Sequence, residues 1–400
     1  MTAPLAGIRV CDVTQNLAGP FCAQILGDLG AEVIKVEPPG GDLGRAWGPP
    51  FWGSAGVLFL SVNRGKRSIV LDLKRPEGRE VLHRIARGCD VFLQSARLSV
   101  PERLGCDYDA IRGVREDVIH LSVTAFGGRG PLRDFPGYDP LIQAYSGIMS
   151  VTGHPGGEPA RVGGSVVDYG TGMWAAIAVL AALRTRDATG KGARLETALL
   201  DTAVGWISYH IMGYLATGRV PGPMGSGLDA IVPYQAFPTS DGSVMIAAGN
   251  DAIFRRLCEA LGVPEVARDS RFATNPSRVA HREELVPLIA SHTRTLTTRD
   301  LVERTRRHSV PTSPIQDIAQ VAADAQVAAA ELVTPAPHPE AGNYQDISIP
   351  LRIDGARPRG SSGPPLAGEH TVAILSELGY SEAERRHLLD EGIAAATEDP

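Results

Sequence analysis

The residue of this chain best placed to do chemistry is the aspartate at position 168. Gly163 and Gly164 precede it, and Gly170 and Gly172 follow it. Because glycine has no Cβ, the backbone can bend sharply here and a large ligand can come close. An aspartate carboxylate in such a place can act as a covalent nucleophile towards activated acyl groups. The local sequence taken alone favours another role, an N-cap for the apolar helix at residues 174–183, because Asp is a preferred capping residue.

The composition excludes several classes of protein. The 400 residues are 43% hydrophobic and 21% charged, which is typical of an ordinary soluble globular protein. A net charge of -6 argues against nucleic acid as a partner. The five cysteines and ten histidines form no CxxC or HExxH pattern, so we expect no disulfide framework and no metal site. The longest apolar run, residues 173–183, is shorter than a membrane span, and the N-terminus lacks a secretory signal. We therefore expect a cytoplasmic protein without membrane association.

The elements that must position Asp168 begin with a βαβ unit. Residues 8–13 and 31–36 are β-rich runs, and residues 21–29 between them have helical apolar spacing. This pattern predicts a parallel sheet with a right-handed crossover. Further strands are predicted at 68–73, 91–94, 118–123 and 194–200, with a helix at 78–87. The fold class is therefore α/β, with a large, open, Rossmann-like parallel sheet.

A second domain is predicted in the middle of the chain. A Pro/Gly-rich break at 221–227 precedes a hairpin over 234–249 and charged helices to about residue 305. A second soft segment at 334–343 precedes a strand at 347–353 and a helix at 370–378. We assign 1–200 to the large domain, 201–224 to a linker, 225–320 to a smaller α+β domain, and 321–400 to a linker that returns to the large domain.

Two ligand classes compete for the first domain. The βαβ opening and Glu37 at the end of the second strand fit a dinucleotide, but residues 14–20 carry one glycine where GxGxxG needs three. The basic, glycine-containing loops at 40–45 and 63–68 could hold phosphates, or could be solvated surface turns. Lys74, Arg75 and Arg79 add positive charge nearby. Together these loops favour a polyanionic ligand other than NAD.

Taken together, segments along the whole chain match those of a known protein family. The chain resembles the class III CoA-transferases, the formyl-CoA and carnitine CoA-transferases, a family that also contains the α-methylacyl-CoA racemases. The matching segments span nearly the whole chain in the expected order. They are LAGIRV at 5–10, AGP at 18–20, GDLGAEVIKVE at 27–37, NRGKRS at 63–68, LDLK at 71–74, GYDP at 137–140, VD at 167–168 with GTGM at 170–173, and PPLAGEHT at 364–371.

The resemblance implies that Asp168 is a covalent nucleophile. Its carboxylate attacks an acyl-CoA thioester to give a mixed anhydride and CoA thiolate, and the thiolate then forms an aspartyl-CoA thioester. Both intermediates are activated acyl groups, so no step needs ATP. Coenzyme A and acyl-CoA are then substrates, a small carboxylic acid is the acceptor, and no tightly bound cofactor is expected.

One position separates the two branches of the family. The racemases that this chain resembles carry His as an acid/base in a Gly-His-Asp motif, where this chain has Gly137, Tyr138 and Asp139. A tyrosine with an ordinary pKa near 10 is a poor base at neutral pH, which favours the transferase branch. In the transferases the residue that matches Tyr138 lies close to the nucleophile, so Tyr138 is predicted to support Asp168. A racemase and a catalytically silent CoA-binding protein remain as alternatives.

The CoA site follows from the same resemblance. Gln15, Asn16, Leu17 and Ala18 are predicted to line the pantetheine and thioester end. The positions predicted to contact the rest of CoA are Leu71, Lys74, Ser95 and Arg103. Two departures stand out: the family's Glu-Asn-Phe segment reads QSA at 94–96, and Leu17 replaces a glutamine of formyl-CoA transferase, which disfavours oxalate.

The resemblance also implies a quaternary structure. Members of the family form an interlocked homodimer, in which each subunit is threaded through the ring of the other. They build the large domain from both chain ends, as assigned above.

Overall fold

The computed structural model describes residues 3–360 and 362–397. Within these ranges the strands are β1 (Arg9–Asp12), β2 (Glu32–Glu37), β3 (Phe51–Trp52), β4 (Ala55–Gly56), β5 (Lys66–Leu71), β6 (Val91–Gln94), β7 (Ile119–Thr124), β8 (Ala193–Ala198), β9 (Tyr234–Pro238), β10 (Ser243–Ala247), β11 (Thr312–Pro314), β12 (Val333–His338), β13 (Gly342–Ile347) and β14 (Ala394–Ala395).

The α-helices of the same ranges are α1 (Ala18–Asp28), α2 (Val57–Val62), α3 (Pro76–Arg87), α4 (Pro101–Leu104), α5 (Tyr108–Val114), α6 (Asp139–Ser146), α7 (Ile148–Val151), α8 (Val166–Thr189), α9 (Leu199–Trp206), α10 (Ser208–Thr217), α11 (Asp251–Leu261), α12 (Asn275–Ala280), α13 (Arg282–Thr293), α14 (Thr298–Arg307), α15 (Ile318–Ala322), α16 (Ala325–Ala329), α17 (Thr371–Glu377) and α18 (Glu382–Asp390).

The large sheet confirms the predicted fold class. Its strand order is β14-β5-β2-β1-β6-β7-β8, and all neighbours are parallel except β14, which runs antiparallel to β5. The order of its six parallel strands is that of a doubly wound sheet, which reverses its direction of growth between β1 and β6. Ligands of such sheets bind outside the carboxyl ends of the strands at this reversal point.

Helices cover both faces of this sheet. On one face α3, α5, α17 and α18 bury a core against the strands, with Ile69, Leu82 and Phe92 at its centre. On the other face α1 and α8 pack over Val10, Leu93 and Leu121. The C-terminal helices and β14 thus belong to the same layer structure as the N-terminal strands. Both faces of the sheet are thus covered, as is usual for parallel sheets.

The chain divides into two compact units. The first lies within Met1–Ile148, Val162–Gly213 and Gln326–Pro400, and the second within Met149–Arg161 and Tyr214–Ala325. In the second unit β9, β10 and β11 form an antiparallel sheet, on which α11, α13 and α14 bury an apolar core. The predicted hairpin is present as β9 and β10, paired from Tyr234 with Ala247 to Pro238 with Ser243.

Residues 201–217 of the assigned linker are largely helical, in α9 and α10. Two other segments differ from the sequence prediction. The soft segment at 334–343 contains most of β12, which pairs with β13, whereas the strand expected at 347–353 is mostly irregular. Finally, α8 has 24 residues and starts at Val166, eight residues before the predicted helix.

Helix α8 has the length and apolar character of a membrane span, unlike the shorter apolar run seen in the sequence. In this fold, however, it packs against α1, β7 and β8. Ala175, Val179 and Leu183 on its inner side are buried in the core of the first unit. Helix α8 is therefore accounted for as a core helix of an α/β layer structure.

Candidate active site

Asp168 lies in the first turn of α8. The N-cap residue of this helix is Ser165, so the interpretation of Asp168 as the cap is wrong. Within the described residues, the Ser165 side chain makes no capping hydrogen bond. The first amides of a helix need acceptors, so the acceptor must come from elsewhere.

That acceptor is the carboxylate of Asp139, which lies 29 residues before Asp168 in the chain. Its Oδ2 accepts hydrogen bonds from the backbone N–H of Val167 at 2.8 Å and of Asp168 at 3.2 Å. Its Oδ1 accepts a bond from Nε2 of Gln143 at 2.5 Å. Asp139 is 1% exposed. The main chain of the predicted nucleophile is therefore held by a buried carboxylate from α6.

The electrostatic setting of Asp168 differs from that of a surface carboxylate. Burial raises the pKa of Asp168 from its ordinary 3.8 to about 7, and the nearby charge of Asp139 adds to the rise. Desolvation and a like charge both disfavour the ionised form. At neutral pH the side chain is thus divided between its acid and its carboxylate. A carboxylate with so high a pKa is more basic than an ordinary aspartate.

The glycines after Asp168 serve helix packing. A Cβ on Gly170 would lie 2.6 Å from the ring of Trp206 on α9, and one on Gly172 would lie 2.6 Å from the carbonyl oxygen of Ala18 on α1. We expected these glycines to admit a ligand. At Gly170 and Gly172 that interpretation is wrong, because the space is filled by neighbouring helices. Gly163 and Gly164, in contrast, have no neighbouring atoms at the Cβ position.

The loop predicted to line the thioester lies beside this helix. The N–H of Gln15 donates to Oγ of Ser95 at 3.2 Å, and the N–H of Asn16 donates to Oδ1 of Asp42 at 3.1 Å. Asn16 has φ of 68°, a left-handed conformation that Asn tolerates better than most residues. The side chains of Leu17 and Ala18 are buried. The structure therefore brings Gln15 to Ala18 and Ser95 together at the carboxyl ends of β1 and β6, next to α8.

Two fully buried ion pairs hold the loop of Gln15 to Ala18 in place. Nζ of Lys35 lies 2.7 Å from Oδ2 of Asp42 and donates to the carbonyl of Thr14 at 2.9 Å. Nζ of Lys66 pairs with Oδ2 of Asp12 at 2.9 Å, and burial lowers the pKa of Lys66 to about 8. Removing one partner of a buried pair is strongly destabilising, because it leaves an uncompensated charge. The network is therefore a rigid support for the loop.

The arginines of the two basic loops, Arg45 and Arg64, are engaged in ion pairs within the protein. Arg45 makes a two-pronged ion pair with Glu37. Arg64 is 3% exposed and pairs with both Asp28 and Asp346. Both guanidinium groups are thus paired with carboxylates of the protein itself. Their charges stabilise the fold of the first unit, and the sequence did not reveal their distant partners.

Of the residues predicted to contact the nucleotide, two are accessible. Lys74 and Arg103 are both exposed, after β5 and on α4. Arg79 contacts both segments. Its guanidinium donates to the carbonyl of Lys74 at 3.0 Å, and its Cδ lies 3.2 Å from the point that a Cβ on Gly105 would occupy. Leu71 is 1% exposed in the core, so any contact of Leu71 with a ligand would have to use its main chain.

Tyr138 is the N-cap residue of α6 and is 46% exposed. It directly precedes Asp139, one residue from the carboxylate that holds Asp168. Its ring lies 5.7 Å from that of Trp47, which is also exposed. The sequence did not indicate Trp47, because no motif contains it. In the GYDP segment, Tyr138 was predicted to belong to the site, whereas Asp139 was not. An acidic residue at the start of a helix was the available signal for Asp139.

Comparison with known proteins shows the family of this chain. Residues 5–371 match CoA-transferase family III. Succinate–glutarate CoA-transferase of Agrobacterium fabrum is 40% identical over 382 residues, which are 94% of this chain and 96% of that protein. Human succinyl-CoA:glutarate CoA-transferase is 37% identical over 400 residues, 98% of this chain and 90% of that protein.

A solved structure agrees as well. A CaiB/BaiF family protein from Brucella suis matches with a TM-score of 0.85 and 39% identity, covering 94% of this chain and all of that one. The named relatives are transferases, as expected from a tyrosine at position 138. This chain therefore belongs to CoA-transferase family III and is an enzyme that transfers CoA between an acyl-CoA and a carboxylate.

Proposed function

We propose that this protein transfers CoA from succinyl-CoA to a second dicarboxylic acid such as glutarate, through covalent intermediates on Asp168. The observation that carries the proposal is the carboxylate of Asp168 itself, half-buried in the first turn of α8 with its pKa raised to about 7. The activities of the transferases from A. fabrum and human support the choice of acids. Leu17 supports it too, since formyl-CoA transferase has a glutamine there.

The proposed reaction consists of acyl exchanges on one carboxylate. An oxygen of Asp168 attacks the thioester carbonyl of succinyl-CoA, the C–S bond breaks, and CoA leaves as a thiolate. The thiolate attacks the aspartyl carbonyl of the mixed anhydride and releases succinate, which leaves an aspartyl-CoA thioester. Glutarate then attacks this thioester, and the returning thiolate attacks the glutaryl carbonyl. Glutaryl-CoA forms and the Asp168 carboxylate is regenerated.

The properties of Asp168 suit this sequence of steps. Attack requires the ionised form, and desolvation makes that form more basic than an ordinary aspartate. The anhydride and the thioester carry no charge on Asp168, so acylation removes the cost of a charge in this setting. The resting carboxylate is thus raised in free energy relative to the intermediates that it forms.

The substrate position follows from the carboxyl edge of the sheet. The loop of Gln15 to Ala18 lies beside α8, where we place the thioester. The exposed cations Lys74 and Arg103 are then available for the phosphates at the far end of CoA, since Arg45 and Arg64 are already paired. Tyr138 is assigned a supporting role at the acyl group.

We also propose the interlocked homodimer and a cytoplasmic location. In the first unit, α8 to α10 expose several large apolar side chains, and exposed aromatic and methionine side chains are enriched at subunit interfaces. The exposed residues are Met173, Trp174 and Ile177 on α8, Trp206 on α9, and Tyr209 and Met212 on α10. A second copy of the chain would bury them.

The test is a transfer assay with succinyl-CoA and a panel of acceptors. We expect glutaryl-CoA to form at least about ten times faster than oxalyl-CoA, a difference of about 1.4 kcal/mol between transition states, and Asp168→Asn to form neither. A preference for oxalate would contradict the proposed acids. Exchange of the α-proton of a 2-methylacyl-CoA with solvent, without CoA transfer, would indicate a racemase. Binding of CoA without either reaction would indicate a silent binding protein.

A further inference from the structure

The side chain of Asp139 contacts the main chain at the proposed nucleophile, Asp168. It is the first residue of α6, it is 1% exposed, and its carboxylate accepts three hydrogen bonds within the described residues. Two of these come from the amides of Val167 and Asp168, at 2.8 and 3.2 Å. Because these donors belong to the first turn of α8, Asp139 acts as a helix cap supplied from a distant part of the chain.

Gln143 extends this hold to the segment before the helix. Its Nε2 donates to Oδ1 of Asp139, while its Oε1 accepts the N–H of Val162 at 2.9 Å. Gly163 and Gly164 lie between Val162 and the helix, and glycine gives a chain little conformational restraint of its own. The buried pair of Asp139 and Gln143 therefore fixes the backbone on both sides of a flexible dipeptide, which ends four residues before Asp168.

The charge of Asp139 also acts on Asp168. Besides burial, Asp139 is the cause that raises the pKa of Asp168. Other ionisable side chains lie on the elements that pack against α8. They are Cys22 and Asp28 on α1, Tyr145 on α6, His120 on β7, Arg194 and Glu196 on β8, and Asp201 on α9. None of them contributes to the raised pKa of Asp168, and Asp28 is engaged by Arg64.

We propose that Asp139 is the positioning residue of the nucleophile, in two senses. It orients Asp168 by holding the first amides of α8, and its negative charge opposes the charge of the resting carboxylate. This repulsion ends when Asp168 is acylated, because the anhydride and the thioester are neutral, so Asp139 favours the covalent intermediates. The inference rests on the proposed function, in which Asp168 is the nucleophile.

The test is the pH profile of acylation in Asp139→Asn. The rate at which Asp168 acquires CoA from succinyl-CoA is measured in single turnovers between pH 5 and 9. In the wild type we expect the rate to rise with a midpoint near pH 7. In Asp139→Asn the midpoint should fall by at least one pH unit and the limiting rate by at least tenfold. Asp107→Asn is the matched control, because Asp107 caps α5 through two amides at 3.1 Å.

A second variant separates charge from hydrogen bonding. In Asp139→Asn with Gln143→Glu, the new carboxylate at position 143 can accept from the new side-chain amide at position 139 and from the N–H of Val162. The network and the net charge are thus kept, while the charge moves away from Asp168. We expect this double variant to keep the lowered midpoint. A slower rate with an unmoved midpoint in both variants would overturn the proposal, since a purely structural role predicts that result.

A third measurement does not depend on turnover. The difference in unfolding free energy between Asp168 and Asp168→Asn proteins depends on pH through the pKa of Asp168. That dependence should be weaker when Asp139 is replaced by Asn. If the wild type acquires no CoA, the proposed function fails, and this measurement alone decides whether Asp139 acts on Asp168. An unchanged dependence would overturn the electrostatic role of Asp139.

Discussion

Replacing the nucleophile should stabilise the protein, and increasingly so as the pH rises. One pKa unit corresponds to about 1.4 kcal/mol. The rise of the pKa of Asp168 from 3.8 to about 7 therefore corresponds to about 4 kcal/mol for a fully ionised side chain. Since the side chain is half-buried, solvent screening reduces this to about 2 kcal/mol. Asp168→Asn has no charge to bury, so it should avoid this cost.

The sign follows from proton linkage. Asp168 binds its proton more tightly in the folded than in the unfolded chain, so it favours folding below about pH 4 and loses that contribution as the pH rises to about 7. The asparagine variant lacks this dependence, because its side chain does not titrate. The stability advantage of Asp168→Asn should thus reach about 2 kcal/mol at pH 8 and stay constant above that, and at pH 5 it should be about 40% of that value.

Urea denaturation at pH 5 and pH 8 measures this difference, with the slope of unfolding free energy against urea checked in each case. Asp187→Asn is the matched control, because Asp187 is an exposed carboxylate on the same helix. Its effect on stability should be the same at both pH values. An equal effect of Asp168→Asn at pH 5 and pH 8, or a wild type that is the more stable at pH 8, would refute the reasoning.

Two further predictions concern substrate binding and packing. Replacing Lys74 and Arg103 together by Ala should raise the KM for succinyl-CoA at least about tenfold, because two phosphate contacts are lost. The KM should also depend less on salt concentration. An unchanged KM in steady-state assays would place the nucleotide of CoA elsewhere. Gly172→Ala should destabilise the protein by about 1–3 kcal/mol and slow transfer, because its Cβ would meet the carbonyl of Ala18. Gly205 is a helical glycine with open space around it, so Gly205→Ala should not lower the midpoint temperature of thermal denaturation. Equal effects of Gly172→Ala and Gly205→Ala on stability would contradict the packing argument.

The sequence alone predicted the large sheet well. The strand at Val91–Gln94 and the βαβ unit at the N-terminus lie within a few residues of their predicted places. These segments are strongly patterned, and periodicity identifies such elements reliably. The sequence also identified Asp168, through its resemblance to a family rather than through any local pattern. That local pattern favoured a helix cap at Asp168, whereas the carboxylate that accepts from the first amides of α8 is that of Asp139.

The errors about the candidate site share one physical cause, which is contact between residues far apart in the chain. Arg64 looks like an accessible cation in sequence, yet its partner Asp346 lies 282 residues away. Gly172 looks like a ligand-binding glycine, yet Ala18 fills the space beside it. Burial and ion pairing are settled by tertiary packing, which a single sequence does not display. Roles that depend on partners were therefore misjudged, whereas the strongly patterned strands of the large sheet were not.

The covalent role of Asp168 is tested most directly by mass spectrometry of the intact protein after incubation with succinyl-CoA, followed by proteolysis to locate the modification. The account predicts a CoA adduct that hydroxylamine removes, on the peptide that contains Asp168. It also predicts that this adduct is absent from Asp168→Asn. An adduct on another residue, or full transfer activity in Asp168→Asn, would contradict the account.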